Sequence, residues 1–477
     1  MRSLSLPRRR TVLSAAVATA GAALARPSSA AAAPAAAALA APAAMPADAA
    51  VAREIRDEFV HSWEGYKRAA WGHDEVRPVS GGHNDFFAEG RTFGLSIVEA
   101  LDTLWLMELD DEVALAADWI EAELDPAQDA DVQVFETIIR LVGGLVAGYL
   151  CTGRQPLLDR CRELADRLLP AFTRSPTGMP YRYVNLRTGA VSGNAGPLAE
   201  IGSNILEFGM LSQLTGDQKY WNAARRAMRA VFDRRSAIGL LGTTLNIETG
   251  RWTDTTSCAP NPPVDSYYEY LWAGAELFGD RELGDWYRLL TGAVLRYQLE
   301  HQGGYAWYKQ VDYSTGRTTG RGASELGSFY PGLLGKGGDM DAAVDYYDTW
   351  TMILDNNAVV PEAIDYGNAT VRSGRNDLRP EYVNSSFDLW MLTGEQRFKE
   401  TAYSYFTGLR DHLRVPGGYT VAEDVTSAPL SRGDLTPGYW FAENPKYLYL
   451  MFAATPRFDY RSGLLSTEGK LMRGAVH

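Results

Sequence analysis

The chain has 477 residues, 46% of them hydrophobic and 22% charged, the balance of a globular protein rather than a disordered, collagen-like or many-spanning membrane one. Its first fifty residues hold five arginines and one acid, so the rest carries 41 bases against 58 acids, a net −17. A body this acidic repels phosphate backbones, which argues against a nucleic-acid partner.

At the N-terminus, Arg8–Arg10 precede a weakly apolar, Ala-rich stretch with small-residue cleavage sites. This reads as an export signal of the twin-arginine type, cut between about Ala25 and Ala50. Residues 30–50 are Ala/Pro low complexity and read as a disordered leader or linker. The expected organisation is therefore 1–50 signal and linker, then 51–477 as a single domain. The mature protein is expected to be secreted, periplasmic or cell-surface. No later run reaches ~18 uninterrupted apolar residues, so no membrane insertion is expected after cleavage.

From residue 51 onward the apolar residues recur at helical spacing. The clearest stretches are 92–108, 131–151, 155–170, 197–214, 217–233, 264–278, 281–299, 340–354, 381–393, 396–410 and 440–453. Turn signatures separate them: TGR at 152–154, TGD at 215–217, FGD at 278–280, GGD at 337–339 and TGE at 393–395. Leu109-Asp110-Asp111 reads as a version without glycine. Glycines 153, 216, 279, 338 and 394 stand 63, 63, 59 and 56 residues apart. Gly closing one helix before a charged residue opens the next is a stop–start signal. The period predicts an all-α fold, an (α/α)7 toroid of seven helical hairpins around a central cavity. The turn-rich stretches 181–191 and 239–256 predict small β-hairpins on one rim.

An acid recurs near the start of the first helix of each pair: Glu136, Glu200, Asp265, Glu325, Glu381 and Glu443. Helix N-termini favour acids by roughly 0.3–1 kcal/mol, which accounts for any one of them. As a set they stand in apolar or aromatic strings such as VFET, VDSYYEY and FAENPKY, which a solvated helix start does not require. Carboxylates that converge repel one another, and their pKa values separate. Glycosidases use that separation: one acid protonates the leaving oxygen while another activates water or attacks. Arg140, one turn after Glu136, can hold a neighbouring carboxylate ionised or bond a sugar hydroxyl.

Cys151 and Cys161 flank a turn and could bridge; three packed thiols, with Cys258, are the alternative. The six histidines are scattered and no HExxH or CxxC occurs, which argues against zinc. His73 and His83 read as hydrogen-bonding residues of the rim, Asp102 as a buried hydrogen-bond partner and Glu99 as a further pocket acid.

At these same residues the sequence resembles the class I α-mannosidases, glycoside hydrolase family 47. The matching strings, in order, include DEVRPVSGG (74–82), GLSIVEALDTLWLMEL (94–109), VFETIIRLVGGLVAGY (134–149), AEIGSNILEFGMLSQLTGD (199–217), VDSYYEYL (264–271), LRPEYV (378–383), FAENPKYLYLMF (441–452) and STE (466–468). The resemblance implies an (α/α)7 barrel that removes terminal α-1,2-linked mannose with inversion, using one Ca²⁺. It implies Glu136 as general acid, Glu381 as general base, Asp265 as a third essential carboxylate and Thr467 as the Ca²⁺ ligand. Arg140, Glu200, Arg379, Glu443 and Glu468 match positions in or behind the sugar pocket, and Glu325 takes a pocket position where the family often has histidine. Further departures are Asn384 for a glutamate and Gly469-Lys470-Leu471 for Ala-His-Pro. The implied partner is an α-mannose-containing oligosaccharide or glycoprotein glycan, bound by a monomer. From the residues themselves, Phe135 and its apolar string are expected to keep Glu136 protonated, and Arg379 to keep Glu381 ionised. The competing readings are a catalytically weak glycan-binding protein of this fold and another glycoside hydrolase on an α/α barrel.

Overall fold

Residues 45–477 are described by the computed structural model. The predicted export signal, and the leader as far as Ala44, lie outside the described residues. The first helix, α1 (Asp48–Ala70), begins inside the stretch read as leader. Asp48 occupies its first turn and pairs with Lys399 Nζ at 2.6 Å, which fastens the start of the helix to a residue 351 positions on.

Seven helices line the inside of a ring. They are α2 (Leu95–Leu106), α4 (Val134–Thr152), the broken pair α6 (Leu198–Gly202) and α7 (Ile205–Thr215), α9 (Asp265–Phe278), α11 (Tyr330–Gly337), α13 (Glu381–Thr393) and α15 (Asn444–Phe452). Each packs on the next, and α15 returns to α2. Outside them α3 (Asp110–Glu123), α5 (Gln155–Thr173), α8 (Lys219–Phe232), α10 (Arg281–Tyr297), α12 (Met340–Asp355) and α14 (Gln396–Leu413) each cover the inner helix before them. The seventh outer helix is α1, which covers α15 and closes the ring with the other end of the chain. This is the predicted toroid of seven hairpins.

Inner and outer helices differ as their places demand. In α8 the buried residues Tyr220, Ala223, Ala224, Ala227, Met228 and Val231 form one stripe, and Arg225 and Arg226 stand off it. In α4 residues Thr137–Gly148 are buried on every side. That helix is long and apolar enough to cross a bilayer, but here it is a wall of the ring. The glycine turns follow the expected logic: Gly153, Gly216, Gly279, Gly338 and Gly394 all take left-handed φ, from 67° to 96°, just past an inner helix. In the turn without glycine, Glu108 takes φ 57° instead.

Short antiparallel hairpins stand at the N-terminal ends of the inner helices. Strands β1 (Glu75–Arg77) and β2 (Gly82–Asn84) precede α2. The sheet of β3 (Asp131–Gln133), β4 (Tyr183–Asn185) and β5 (Val191–Ser192) leads into α4. That of β6 (Ala195–Pro197), β7 (Thr244–Asn246) and β8 (Trp252–Asp254) leads into α6. These are the rim hairpins expected at 181–191 and 239–256.

Local geometry departs from the simple periodic reading in three places. The stretch read as one helix over 197–214 breaks at Ser203-Asn204, where Asn204 Nδ2 donates to the Ile201 carbonyl at 2.9 Å. The helix expected between Glu325 and Gly338 is split, with a 3-10 turn over Glu325–Phe329 followed by the short α11. Within α4, Thr137–Val142 is a π-helical stretch. All three cysteines are free and buried, so the packed-thiol alternative describes them.

Candidate active site

The recurring acids stand where the spacing puts them. Glu136 closes the first turn of α4, Glu200 lies in the first turn of α6, and Asp265 and Glu381 open α9 and α13. Glu325 opens the 3-10 turn before α11, and Glu443 is the residue before α15. Because the inner helices run the same way round the ring, these starts share one end of the toroid. Between them lies a cavity of about 240 Å³. Seven carboxyl groups line it, from Glu136, Glu200, Asp265, Glu269, Glu381, Glu443 and Glu468, together with Arg140, Arg379 and Thr467.

Arg140 ties the cluster together. Its Nε donates to Glu136 at 2.7 Å, and its Nη1 donates to Glu468 at 2.7 Å and to Glu99 at 3.3 Å. It sits on the π-helical stretch. The wider turn there re-aims side chains, a feature often found at functional sites. Arg379 Nε donates to Glu362 at 2.9 Å, and its Nη2 lies 3.5 Å from Asp377. Both guanidinium groups lie over the ring of Tyr439, at 5.4 Å for Arg140 and 5.6 Å for Arg379. Glu200 receives both prongs of Arg182 at 2.8 Å, which turns that guanidinium toward the cavity wall.

Burial dominates the electrostatics. It raises Asp265 to about 6, Glu269 and Glu468 to about 7 and Glu381 to about 8, and it lifts Glu443 well above the carboxylate range. Arg379 pulls Glu381 downward but does not overcome burial, because its own hydrogen bond goes to Glu362. One oxygen of Glu381, Oε2, is buried with no hydrogen-bond partner among the described residues. Glu136 is in an ion pair with Arg140 and keeps part of its side chain exposed. The expected division, with Glu136 desolvated and Glu381 held ionised by arginine, is therefore not the one the geometry builds. The arginine after Glu136 reaches back to it, while the arginine before Glu381 turns away.

The floor of the cavity is the C-terminal hairpin, Leu464–Leu465 with Leu471–Arg473, which enters the ring against α4 and α7. Its turn carries Thr467 and Glu468, and the Thr467 hydroxyl lies against the Glu269 carboxyl. Gly469 takes φ 63°, and a Cβ there would stand 3.0 Å from the Ala442 carbonyl, so the tight turn needs glycine. Lys470 is buried completely: its Nζ donates to the Glu99 carboxylate at 2.6 Å and to the Glu99 carbonyl at 3.2 Å. Asp102 accepts from Lys446 Nζ at 2.7 Å and from the Leu471 amide at 2.8 Å. Glu99 and Asp102 thus lie beneath the cavity and seat the hairpin.

Comparison with known proteins decides the family. The family model described as glycosyl hydrolase family 47 matches residues 58–474. The chain belongs to glycosyl hydrolase family 47. Alpha-mannosidase I MNS5 of Arabidopsis thaliana is 32% identical over 443 residues, covering 87% of this chain and 76% of that protein. Mannosyl-oligosaccharide 1,2-alpha-mannosidase MNS1 of the same plant is 30% identical over 454 residues, covering 89% and 78%. The solved alpha-1,2-mannosidase from Trichoderma reesei has the same fold, with a TM-score of 0.82 over 90% of this chain and 99% of that one, at 24% identity.

Within this family 47 enzyme, nine of the ten predicted site residues line the one cavity: Glu136, Arg140, Glu200, Asp265, Arg379, Glu381, Glu443, Thr467 and Glu468. Glu325 does not. Its side chain is buried behind the wall, where Asn376 Nδ2 donates to it at 3.1 Å, and its turn presents Leu326 and Phe329 to the cavity instead. In the 3-10 turn, Ser324 Oγ accepts from the Leu326 amide, which turns the residue after Glu325 inward. Sequence reasoning missed Glu269 and Tyr439. Glu269 stands one helical turn after Asp265 and could have been found by that spacing. Tyr439 carries no local signal, since only the ring brings its two arginines together. His73 and His83 are not in the lining; their rings stack on each other.

Proposed function

We propose that this protein is an inverting exo-α-1,2-mannosidase that removes terminal mannose from high-mannose glycans or mannans. The carrying observation is a cavity scaled to a single sugar ring, walled by seven carboxyl groups and two arginines and floored by the C-terminal hairpin. A floored cavity favours chain ends over mid-chain sugars. Relatives at about the same level of identity are named α-mannosidases and mannosyl-oligosaccharide 1,2-alpha-mannosidases, which supplies the sugar and the linkage.

In this reading Glu136 delivers the proton to the leaving oxygen, held in orientation by Arg140. Glu381 takes a proton from the attacking water, and Asp265 orients that water from the start of α9. Tyr439 keeps both guanidinium groups facing the cavity, where they bond sugar hydroxyls. The lining fits a hard divalent cation: it offers oxygen donors, no sulfur or imidazole, and carboxyl groups crowded enough to hold protons. Thr467 would hold Ca²⁺, with Glu269, Glu443 and Glu468 balancing its charge. When bound it supplies coordination positions for sugar hydroxyls and a positive charge that lowers the neighbouring carboxyl pKa values.

The test is incubation with α-1,2-mannobiose, with Ca²⁺ and with EDTA, reading free mannose. Release that EDTA stops and Ca²⁺ restores better than Mg²⁺ supports the whole reading. Release undiminished by chelator removes the metal from it, and no release under any condition favours a glycan-binding protein. We also propose export through the twin-arginine route on the strength of Arg8–Arg10. Replacing the three with lysine should retain the protein in the cytoplasm, and undiminished export would exclude this route.

A further inference from the structure

Beside the cavity, outside its lining, the hairpin of β1 and β2 gathers three side chains of another chemistry. His73 precedes β1, His83 lies in β2, and Asp85 follows it. One ligand atom from each lies within 4.8 Å of the others. His73 Nδ1 and Asp85 Oδ1 are 3.5 Å apart, and both are buried atoms without a hydrogen-bond partner among the described residues. Tetrahedral donors at zinc distances of about 2.0–2.1 Å stand roughly 3.3 Å from each other, so that pair already has the required spacing.

The backbone around the three is fixed. Tyr66 donates its hydroxyl proton to the His73 carbonyl at 2.6 Å, and Arg77 Nε donates to the His83 carbonyl at 3.1 Å. Asp85 accepts from the Gly90 amide at 3.1 Å through Oδ2, which leaves Oδ1 turned toward His73. The imidazoles are stacked, with centroids 3.5 Å apart and planes 14° from parallel. Ring lone pairs lie in the ring plane, so the two rings must open from that stack to share an ion. His83 is exposed and free to turn.

We propose that His73, His83 and Asp85 form a binding site for a divalent transition-metal ion, separate from the cavity. Two imidazoles and one carboxylate suit Zn²⁺ and its neighbours in the first transition row and do not suit Ca²⁺. A three-residue site leaves a fourth position for water. The ion would also clamp the segment that follows. Phe86, next to Asp85, has its ring 5.2 Å from the Arg140 guanidinium carbon, and its amide donates to Asp74 at 3.0 Å. A metal at this hairpin therefore holds an aromatic lid against the arginine that organises Glu136 and Glu468. Sequence spacing does not show the site, because the hairpin turn alone brings His73 to His83.

The experiment is a Zn²⁺ titration by calorimetry on the full protein saturated with Ca²⁺, repeated on His83→Ala, Asp85→Asn and Thr467→Ala. The expected result is one Zn²⁺ per chain for the wild type and for Thr467→Ala, with affinity about 10–100-fold lower or lost in the other two. His83→Ala removes an exposed side chain, so its fold should persist, and circular dichroism checks this. Wild-type protein that binds no Zn²⁺, or equal binding in the His83 and Asp85 variants, overturns the proposal. Binding lost only in Thr467→Ala assigns the ion to the cavity and overturns it as well. The readout is metal binding, so it stands whether or not the protein cleaves mannosides.

Discussion

Glu381 lines the cavity with one buried oxygen that has no hydrogen-bond partner among the described residues, and burial lifts its pKa to about 8. In cation-free protein it therefore holds its proton at neutral pH, and a base that must be ionised works only above that value. Positive charge in the cavity brings the ionisation down into the neutral range. Glu381→Gln should cost about 10²–10⁴-fold in kcat while leaving mannoside affinity largely intact, measured by steady-state kinetics and calorimetry. The two carboxylates separate on α-mannosyl fluoride, whose leaving group needs no proton. Glu136→Gln should keep turnover of the fluoride, and Glu381→Gln should not. The opposite pattern would exchange the roles, and a first-formed α-mannose in the NMR spectrum would turn the base into a nucleophile.

The C-terminal hairpin is a small element with a large share of the site. It brings Thr467 and Glu468 to the cavity floor and is seated by two buried ion pairs, Lys470 with Glu99 at 2.6 Å and Lys446 with Asp102 at 2.7 Å. The carboxylate of Glu99 also receives Arg140, so seating the hairpin and aiming the arginine share one side chain. Lys470→Met leaves the buried Glu99 carboxylate with only its longer contact to Arg140, at 3.3 Å, and should destabilise the protein by up to about 3–5 kcal/mol. Adding Glu99→Gln should recover part of that loss. Urea denaturation of the two variants measures both, and a single variant as stable as wild type would mean that the pair does not hold the hairpin.

Across the whole molecule, raised carboxyl pKa values make stability depend on pH in an unusual direction. Asp265 at about 6, Glu269 and Glu468 at about 7, and Glu381 and Glu207 at about 8 keep protons in the folded state that the unfolded chain releases near its ordinary carboxylate values. The folded state binds more protons across that window, so these groups stabilise fully below about 4–4.5, and the contribution is lost as pH rises toward 8. Calorimetry on EDTA-treated protein should show Tm falling between pH 5 and pH 8. Ca²⁺ should raise Tm by more at pH 8 than at pH 5, since ionised carboxylates favour the cation. A Tm independent of pH in chelator, with no response to Ca²⁺, would contradict both the electrostatics and the metal reading.

Features that depend on neighbours along the chain were legible in residue order alone. Helix starts and stops, the glycine turns from Gly153 to Gly394, the seven-fold pairing and the acids at Glu136, Glu200, Asp265, Glu381 and Glu443 are all local. Backbone conformation and hydrophobic period are set within a few residues. The closed fold set where the side chains went. It turned Glu325 behind the wall to Asn376, gave Arg379 to Glu362 and placed Tyr439 between two arginines. It also joined Lys470 to Glu99 across 371 residues. Such contacts are fixed by closing the ring, which brings distant segments to one end, and pKa values follow from the burial that closure creates.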